Sequence, residues 1–353
     1  MRQKKPMPGI LIVFMDVLLI GVALVIFAYF HHVRPVKATG PKQHIVFGDS
    51  SSSLSPTDDL TAAPPPTDGQ PESPQPGENP SSDQPESTDT PVQAGPVGDF
   101  SATFPTSDTG AGALYSYQTD DIRIAVTQNK KDEATYFVAD VWIRNIQQFH
   151  TAFATGQFER GSAKYKMPLE IANSNSAKLA ITGDYCSARS SGLIIRNGDL
   201  FRDSISEDIC ILYADGVMET YYRDQFKLQD AIGRGAYQSW SFGPKLLDGG
   251  QRPVSYDGAS ENLQSVINNR DPRAAIGYYE PGHYCLVVVD GRQGDYSRGM
   301  SVVQLSNLFV ELGCKDAYNL DGGQTAAMIY DGAVISKPYK DGRIISDIIY
   351  FGA

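Results

Sequence analysis

Hydrophobic and polar positions divide the chain into three zones. Residues 10–30 are apolar almost without a break, about the twenty residues a helix needs to cross a ~30 Å hydrocarbon core. The pattern predicts a membrane-spanning helix. From about residue 39 to 110 aliphatic and aromatic side chains nearly vanish, and the middle reads PPPTDGQPESPQPGENPSSDQPESTDTP. A segment with so little to bury does not fold on its own. From residue 121 onward, short β-branched and aromatic runs alternate with turn dipeptides, which is a strand pattern.

Within that third zone, residues 122–127 and 135–144 predict one antiparallel pair. Asn197-Gly198 between LIIR and DLF, Asp215-Gly216 between CILYA and VMETYY, and Asp331-Gly332 between AAMIY and AVIS predict three hairpins. Such turns need positive φ, which Asn, Asp and Gly accept cheaply. Two stretches read as helix instead. One is short, 224–232. The other, 301–312, puts Val302, Leu305, Leu308, Phe309 and Leu312 on one face behind Ser301 as N-cap. This helix lies between YCLVVVDGR and CKDAYNLDGG, so a strand, helix, strand unit is expected, with an Asp-Gly pair at the C-terminal end of each strand. The expected fold is α+β, a strand-rich mixed sheet with few helices, preceded by one transmembrane helix and a disordered stalk.

Charge refines the organisation. Arg2, Lys4 and Lys5 precede the apolar span, and the positive-inside tendency puts residues 1–9 in the cytoplasm as a short tip. Everything after residue 30 is then extracytoplasmic, although Arg34 and Lys37 pull the other way. A cleaved signal peptide is the competing reading; the apolar run is long for one, and no clear small-x-small cleavage site follows it. Asp16 within the span costs about 2.5–3.5 kcal/mol on insertion scales, which its apolar neighbours can carry. Of the formal net charge of −11, most belongs to residues 40–110, where eleven Asp and Glu face one Lys. Nothing in this balance favours nucleic acid as a partner. The expected organisation is a stalk over 31–110 and a single domain over 111–353. The role of its N-terminal part, 111–177, is open between completing the sheet and forming a small subdomain. A stalk of that length spans about 45 Å as a coil and ~200 Å if stretched, suited to a spacer through a cell wall.

All four cysteines, Cys186, Cys210, Cys285 and Cys314, lie in the third zone. Outside the cytoplasm they allow two disulfides in any of three pairings, or four buried thiols. No His stands at metal-ligand spacing with a Cys, which argues against structural zinc. His150 and His283 are isolated, and His283 reads as a surface residue in a turn.

Polar residues beside glycine concentrate at the two predicted strand ends: Asp290, Gly291 and Arg292, then Asn319, Asp321, Gly322, Gly323, Gln324 and Thr325. Glycine lets a ligand approach the backbone, and adjacent N–H groups can hold an anion. Several Asp side chains near glycine could also hold a divalent cation, Ca²⁺ or Mg²⁺, though no loop has EF-hand alternation.

In order and spacing, the segments ITGDY, RDPRAAIG, YCLVVVDGR, LGCKDAYNLDGGQTAAM and GRIISDIIYFG resemble the phosphodiester glycosidase family over about residues 178–353. The resemblance implies hydrolysis of a sugar-1-phosphodiester at the anomeric C–O bond. Phosphate is a good leaving group, so the site needs positive charge more than acid catalysis, a role that falls to Arg273 and Arg292. The family pattern places the working carboxylates at Asp184, Asp290 and Asp321, with Asp321 favoured. Gly322 and Gly323 would bring amides to the substrate, while Asn319, Gln324, Thr325 and Arg343 would hold sugar or phosphate. Nucleophile and general base stay unseparated, since retaining and inverting enzymes differ in carboxylate spacing, about 5 against 6.5–9.5 Å. Thr182, Cys186, Gln324 and Gly342 depart from the family pattern, which bears on substrate choice. The expected partner is a phosphorylated glycan of wall or capsule, with the membrane held through residues 10–30. A non-catalytic phosphoglycan-binding module is the alternative.

Overall fold

The computed structural model describes residues 40–45, 98–106, 112–161, 165–256 and 267–352. The predicted membrane span and most of the predicted stalk lie outside the described residues. Among the described residues, no helix is long and apolar enough to cross a membrane.

Six strands make the central sheet, in the order Asp316–Asn319, Arg273–Glu280, His283–Val289, Ala134–Ile143, Ile122–Lys131, Tyr115–Gln118. The period-2 alternation of side chains sends two apolar sets to opposite faces. Ile124, Val126, Val141, Ile276, Leu286 and Val288 face one core. Val138, Ala275, Val287 and Val289 face another, closed by Val302, Leu305, Leu308 and Phe309 of helix Val302–Glu311. That explains the unbroken LVVV run, because its strand is covered on both sides. Ser301 caps the helix through a capping box with Gln304.

A second sheet, in the order Ala333–Val334, Met328–Tyr330, Leu179–Thr182, Asp347–Phe351, His150–Phe153, packs Leu179, Ile181, Met328, Ile349 and Phe351 into the first core. Two three-stranded sheets complete the fold. One joins Met218–Tyr221, Ile209–Tyr213 and Ala236–Trp240; the other joins Gln43–His44, Asp199–Asp203 and Leu193–Arg196.

The strand-rich α+β expectation holds, with one correction: the sheets are antiparallel rather than mixed. Strands His283–Val289 and Asp316–Asn319 do run the same way and end on the same edge, but Arg273–Glu280 lies between them, antiparallel to both. The predicted 122–127/135–144 pair forms and extends to residues 131 and 134. All three predicted hairpins form. Both turn residues take positive φ at Asn197-Gly198 (52° and 85°) and Asp331-Gly332 (48° and 73°), whereas at Asp215-Gly216 only Gly216 does (82°). The helix expected over 224–232 shortens to Leu228–Gly233, because a turn closed by the Gln225 N–H to the Tyr222 carbonyl precedes it.

Much of the segment 112–177 completes the sheets. Residues 40–45 and 98–106, read as stalk, pack on the domain instead. Gln43–His44 pairs with Asp199–Asp203 and seats Ile45 in a small core; Phe100 enters the main core. Runs with one or two apolar anchors among polar neighbours are too short to register as periodicity. All four cysteines are buried thiols rather than disulfides, with the Cys285 and Cys314 sulfurs 3.6 Å apart. His283 is not a free surface residue. Its Nε2 meets Asp140 at 2.6 Å, and its ring stacks on Trp142.

Candidate active site

The strand Asp316–Asn319 leaves the central sheet through Leu320 and Asp321 into a 3-10 turn at Gly323–Thr325. The strand Leu179–Thr182 leaves the second sheet through Gly183 and Asp184. These two exits meet: the Asp321 N–H donates to the Gly183 carbonyl (3.1 Å), and the Thr182 hydroxyl donates to the Thr325 carbonyl (2.5 Å). The glycines are demanded by crowding. A Cβ on Gly183 would stand 2.7 Å from the Asp347 carboxylate, and one on Gly322 would stand 2.8 Å from the Pro272 carbonyl.

Two predicted carboxylates come together here in different states. Both oxygens of Asp184 are occupied: Oδ1 accepts from Arg189 Nη2 (2.6 Å) and Oδ2 from the Ser241 N–H (2.7 Å). Asp321, with its side chain 8% exposed, leaves Oδ2 without a hydrogen-bond partner, and Arg343 Nη2 stands 3.9 Å away. Burial pushes the Asp321 carboxyl up to about 7; Arg343 and the Thr325 hydroxyl oppose that rise, and the charge of Asp184 adds to it.

Beneath them lies a buried ion pair. Asp347 Oδ2 accepts from Arg196 Nη2 (2.8 Å), with both side chains almost fully enclosed. Its Oδ1 accepts the Asp184 N–H (3.1 Å). Burial raises the Asp347 carboxyl and Arg196 opposes it. Asp347 therefore fixes the Gly183-Asp184 turn from below, and through the Gly183 carbonyl the start of the Asp321 turn.

The remaining predicted residues divide by what they touch. Arg292 takes left-handed backbone (φ 57°), gives Nε to Asp271 (2.7 Å), and lies 3.5 Å from where a Gly323 Cβ would be. Its side chain is 43% exposed. Arg343 is exposed as well, with its guanidinium over the Tyr185 ring at 5.6 Å. Asn319 gives Nδ2 to the Gly243 carbonyl (2.7 Å), while its Oδ1 is buried without a partner. Gln324 donates to the Gly342 carbonyl (2.8 Å), and Thr325 Oγ1 to the Gly322 carbonyl (2.7 Å).

Two others are hydrogen-bonded within the fold. The buried Arg273 is engaged by the Met300 and Asn269 carbonyls (3.0 and 2.9 Å). Asp290 spends its carboxylate on the Tyr296 hydroxyl (2.8 Å) and the Lys337 N–H (2.9 Å), tying two loops together. Sequence reasoning passed over Arg189, Arg196, Ser241 and Asp347. Asp347 sits inside the quoted GRIISDIIYFG, and an acid within an otherwise apolar strand was the available signal. Among the described residues, no three His, Cys, Asp or Glu side chains converge on a point where a metal ion would sit.

The model of the phosphodiester glycosidase family matches residues 175–352, the stretch that supplies both strand exits and every one of these carboxylates. The chain belongs to the phosphodiester glycosidase family. A curated relative, the SPbeta prophage-derived uncharacterized protein YomE of Bacillus subtilis (strain 168), is 27% identical over 243 residues, which is 62% of this chain and 37% of that protein. The chain thus spans little more than a third of that relative. Among solved structures, the catalytic domain of zebrafish N-acetylglucosamine-1-phosphodiester alpha-N-acetylglucosaminidase, auto-inhibited by its pro-peptide, superposes with a TM-score of 0.55 at 19% identity. The match covers 69% of this chain and 86% of that one. A hypothetical protein from Synechocystis gives 0.53 at 14% identity, covering 68% and 64%. At these identities the likeness is one of fold.

Proposed function

We propose that this phosphodiester glycosidase hydrolyses sugar-1-phosphodiesters at the anomeric C–O bond, with Asp321 as the carboxylate at the reacting carbon. One observation carries the reading: Asp321 is buried with its Oδ2 unpartnered, burial pushes its carboxyl up to about 7, and cationic Arg343 lies 3.9 Å from that oxygen. A carboxylate titrating near neutrality is suited to general base work. In the reaction, the oxygen of water bonds to C1 and its proton passes to carboxylate. The C1–O bond breaks with its electron pair going to the phosphate, which leaves as a monoester. Arg343, beside Asp321, and Arg292, beside Gly323, are both exposed and stabilise the charge that develops on the departing phosphate. Asp184, saturated by Arg189 and Ser241, supplies fixed negative charge toward the oxocarbenium-like centre.

The N-terminal apolar segment supports placement of the domain on the outer face of a cell membrane, and phosphodiester-linked wall or capsular glycopolymers are the substrate class proposed there. The test is hydrolysis of a panel of sugar-1-phosphodiesters in ¹⁸O-water by the full chain and its Asp321→Asn variant. Label in the C1 hydroxyl of the released sugar, lost in the variant, is the expected result. Label in phosphate would overturn C–O cleavage. Binding without turnover of any substrate would make the protein a glycan-recognition module.

A further inference from the structure

Beside Asp321 the chain returns as a loop, residues 335–343, that carries Lys337, Lys340 and Arg343 on its exposed surface. The loop is held in place. The Lys337 N–H is bonded to Asp290, its carbonyl accepts from Gln293 (2.6 Å), and the Gly342 carbonyl accepts from Gln324 (2.8 Å). Lys340, Asp341 and Gly342 all take positive φ (50°, 61° and 86°). Two of them are not glycine, a conformation that persists only where surrounding contacts enforce it.

The Tyr339 ring lies between two cations, 5.7 Å from the Arg292 guanidinium and 5.3 Å from the Lys340 ammonium. Lys337 reaches over Tyr296 at 4.7 Å. Asp271 faces Arg292 (2.7 Å) and Arg273 (4.0 Å), and Asp341 is the acid within the loop itself. Among the described residues, neither Lys337 nor Lys340 is ion-paired; Lys130, Lys166, Lys227 and Lys315 are unpaired as well, but only Lys337 and Lys340 share one loop with Arg343. Residues 111–353 hold 24 Lys and Arg against 29 Asp and Glu, a net −5, and this ledge gathers cations beside the site within that mildly acidic domain.

One phosphodiester held by Arg343 and Arg292 leaves Lys337 and Lys340 unmatched. We propose that this ledge is a second phosphate subsite, so that the preferred substrate is a glycan with repeated phosphodiesters, bound by the phosphate next to the one being cleaved. The inference rests on the reading of Asp321 as the hydrolytic centre, and it assigns Lys337, Lys340 and the Tyr339 ring to the neighbouring repeat. Exposed ion pairs of this kind contribute modestly and are screened by salt, so the ledge selects for chain length without being needed for chemistry.

The test compares synthetic sugar-1-phosphodiesters with one and with four repeats, using the full chain and its Lys337→Gln/Lys340→Gln variant. The ratio of kcat/KM between long and short substrates is read at low and high salt, and calorimetric binding of the same compounds is read alongside. The expected ratio is about 3- to 20-fold at low salt, falling toward one in the variant and at high salt. A ratio near one, or one that survives the double substitution, overturns the subsite. Should no compound be turned over, the hydrolytic reading fails separately, and calorimetry still decides the subsite by whether four repeats bind more tightly than one and whether the variant erases the difference. A lysine replaced elsewhere, Lys131→Gln, should leave the ratio as it is.

Discussion

Replacing Asp321 by Asn should make the protein inactive and more stable, and the gain should depend on pH in a defined way. In the folded protein this carboxyl titrates at about 7, against 3.8 for an ordinary aspartate. Below pH 4 both folded and unfolded chains hold the proton, and the residue contributes nothing. Between pH 4 and 7 the unfolded chain releases its proton while the folded one keeps it, so stability falls as pH rises. Above 7 the full cost of a buried charge is present, about 4 kcal/mol for a displacement of this size. An Asn side chain of nearly the same shape carries no such charge. Its advantage should grow from near zero at pH 4 to roughly 2–4 kcal/mol at pH 8, less than the full cost because its amide must also find partners. For a domain of this size that is a rise in Tm of about 5–15 °C at pH 8. Urea or thermal unfolding of both forms at pH 4, 6 and 8 reads it directly. Equal stability of the two forms at pH 8, or a difference that does not change with pH, would refute the account of Asp321 as a buried, unneutralised carboxyl.

The same titration predicts that kcat/KM rises with pH through about 7 as the base form accumulates, a limb that a pH–rate profile would show; a flat profile from 5 to 8 would exclude Asp321 as the base. Arg196→Met should cost about 3–5 kcal/mol in denaturant unfolding, since it strands the enclosed Asp347, while replacing both partners with apolar residues should recover most of the loss. Gly183→Ala should destabilise by about 1–3 kcal/mol and lower kcat more than it raises KM, because its Cβ would displace the carboxylate beneath the Asp184 turn.

Much of the sheet could be read along the chain because its signals are local. Turn dipeptides mark the hairpins at 197–198 and 331–332, and the apolar stripe with Ser301 marks the long helix. Strand Arg273–Glu280 is turned back onto His283–Val289 by the local Pro281-Gly282 turn, but its second pairing, with Asp316–Asn319 far along the chain, is set by packing and has no local signature. The site divides the same way. Asp321 and Arg292 stand beside glycines, where chemistry is visible as an anomaly of composition. Arg189, Arg196 and Asp347 are ordinary residues made special by a neighbour 5, 151 and 163 positions away. Asp290 carries the same Asp-Gly mark as Asp321, but its partner Lys337, 47 positions on, has no local signature.

The short strand Gln43–His44 alters what the long proline-rich segment can do. Ile45 before it and Phe100 after it are both packed in one domain, so folding fixes both ends of the segment that joins them. Doubling the length of chain between two fixed ends costs about 0.6 kcal/mol of closure entropy. Insertions into the proline-rich segment should therefore cost the domain little stability, whereas removing Gln43–Ile45 should free one of those ends and empty a place in the small core.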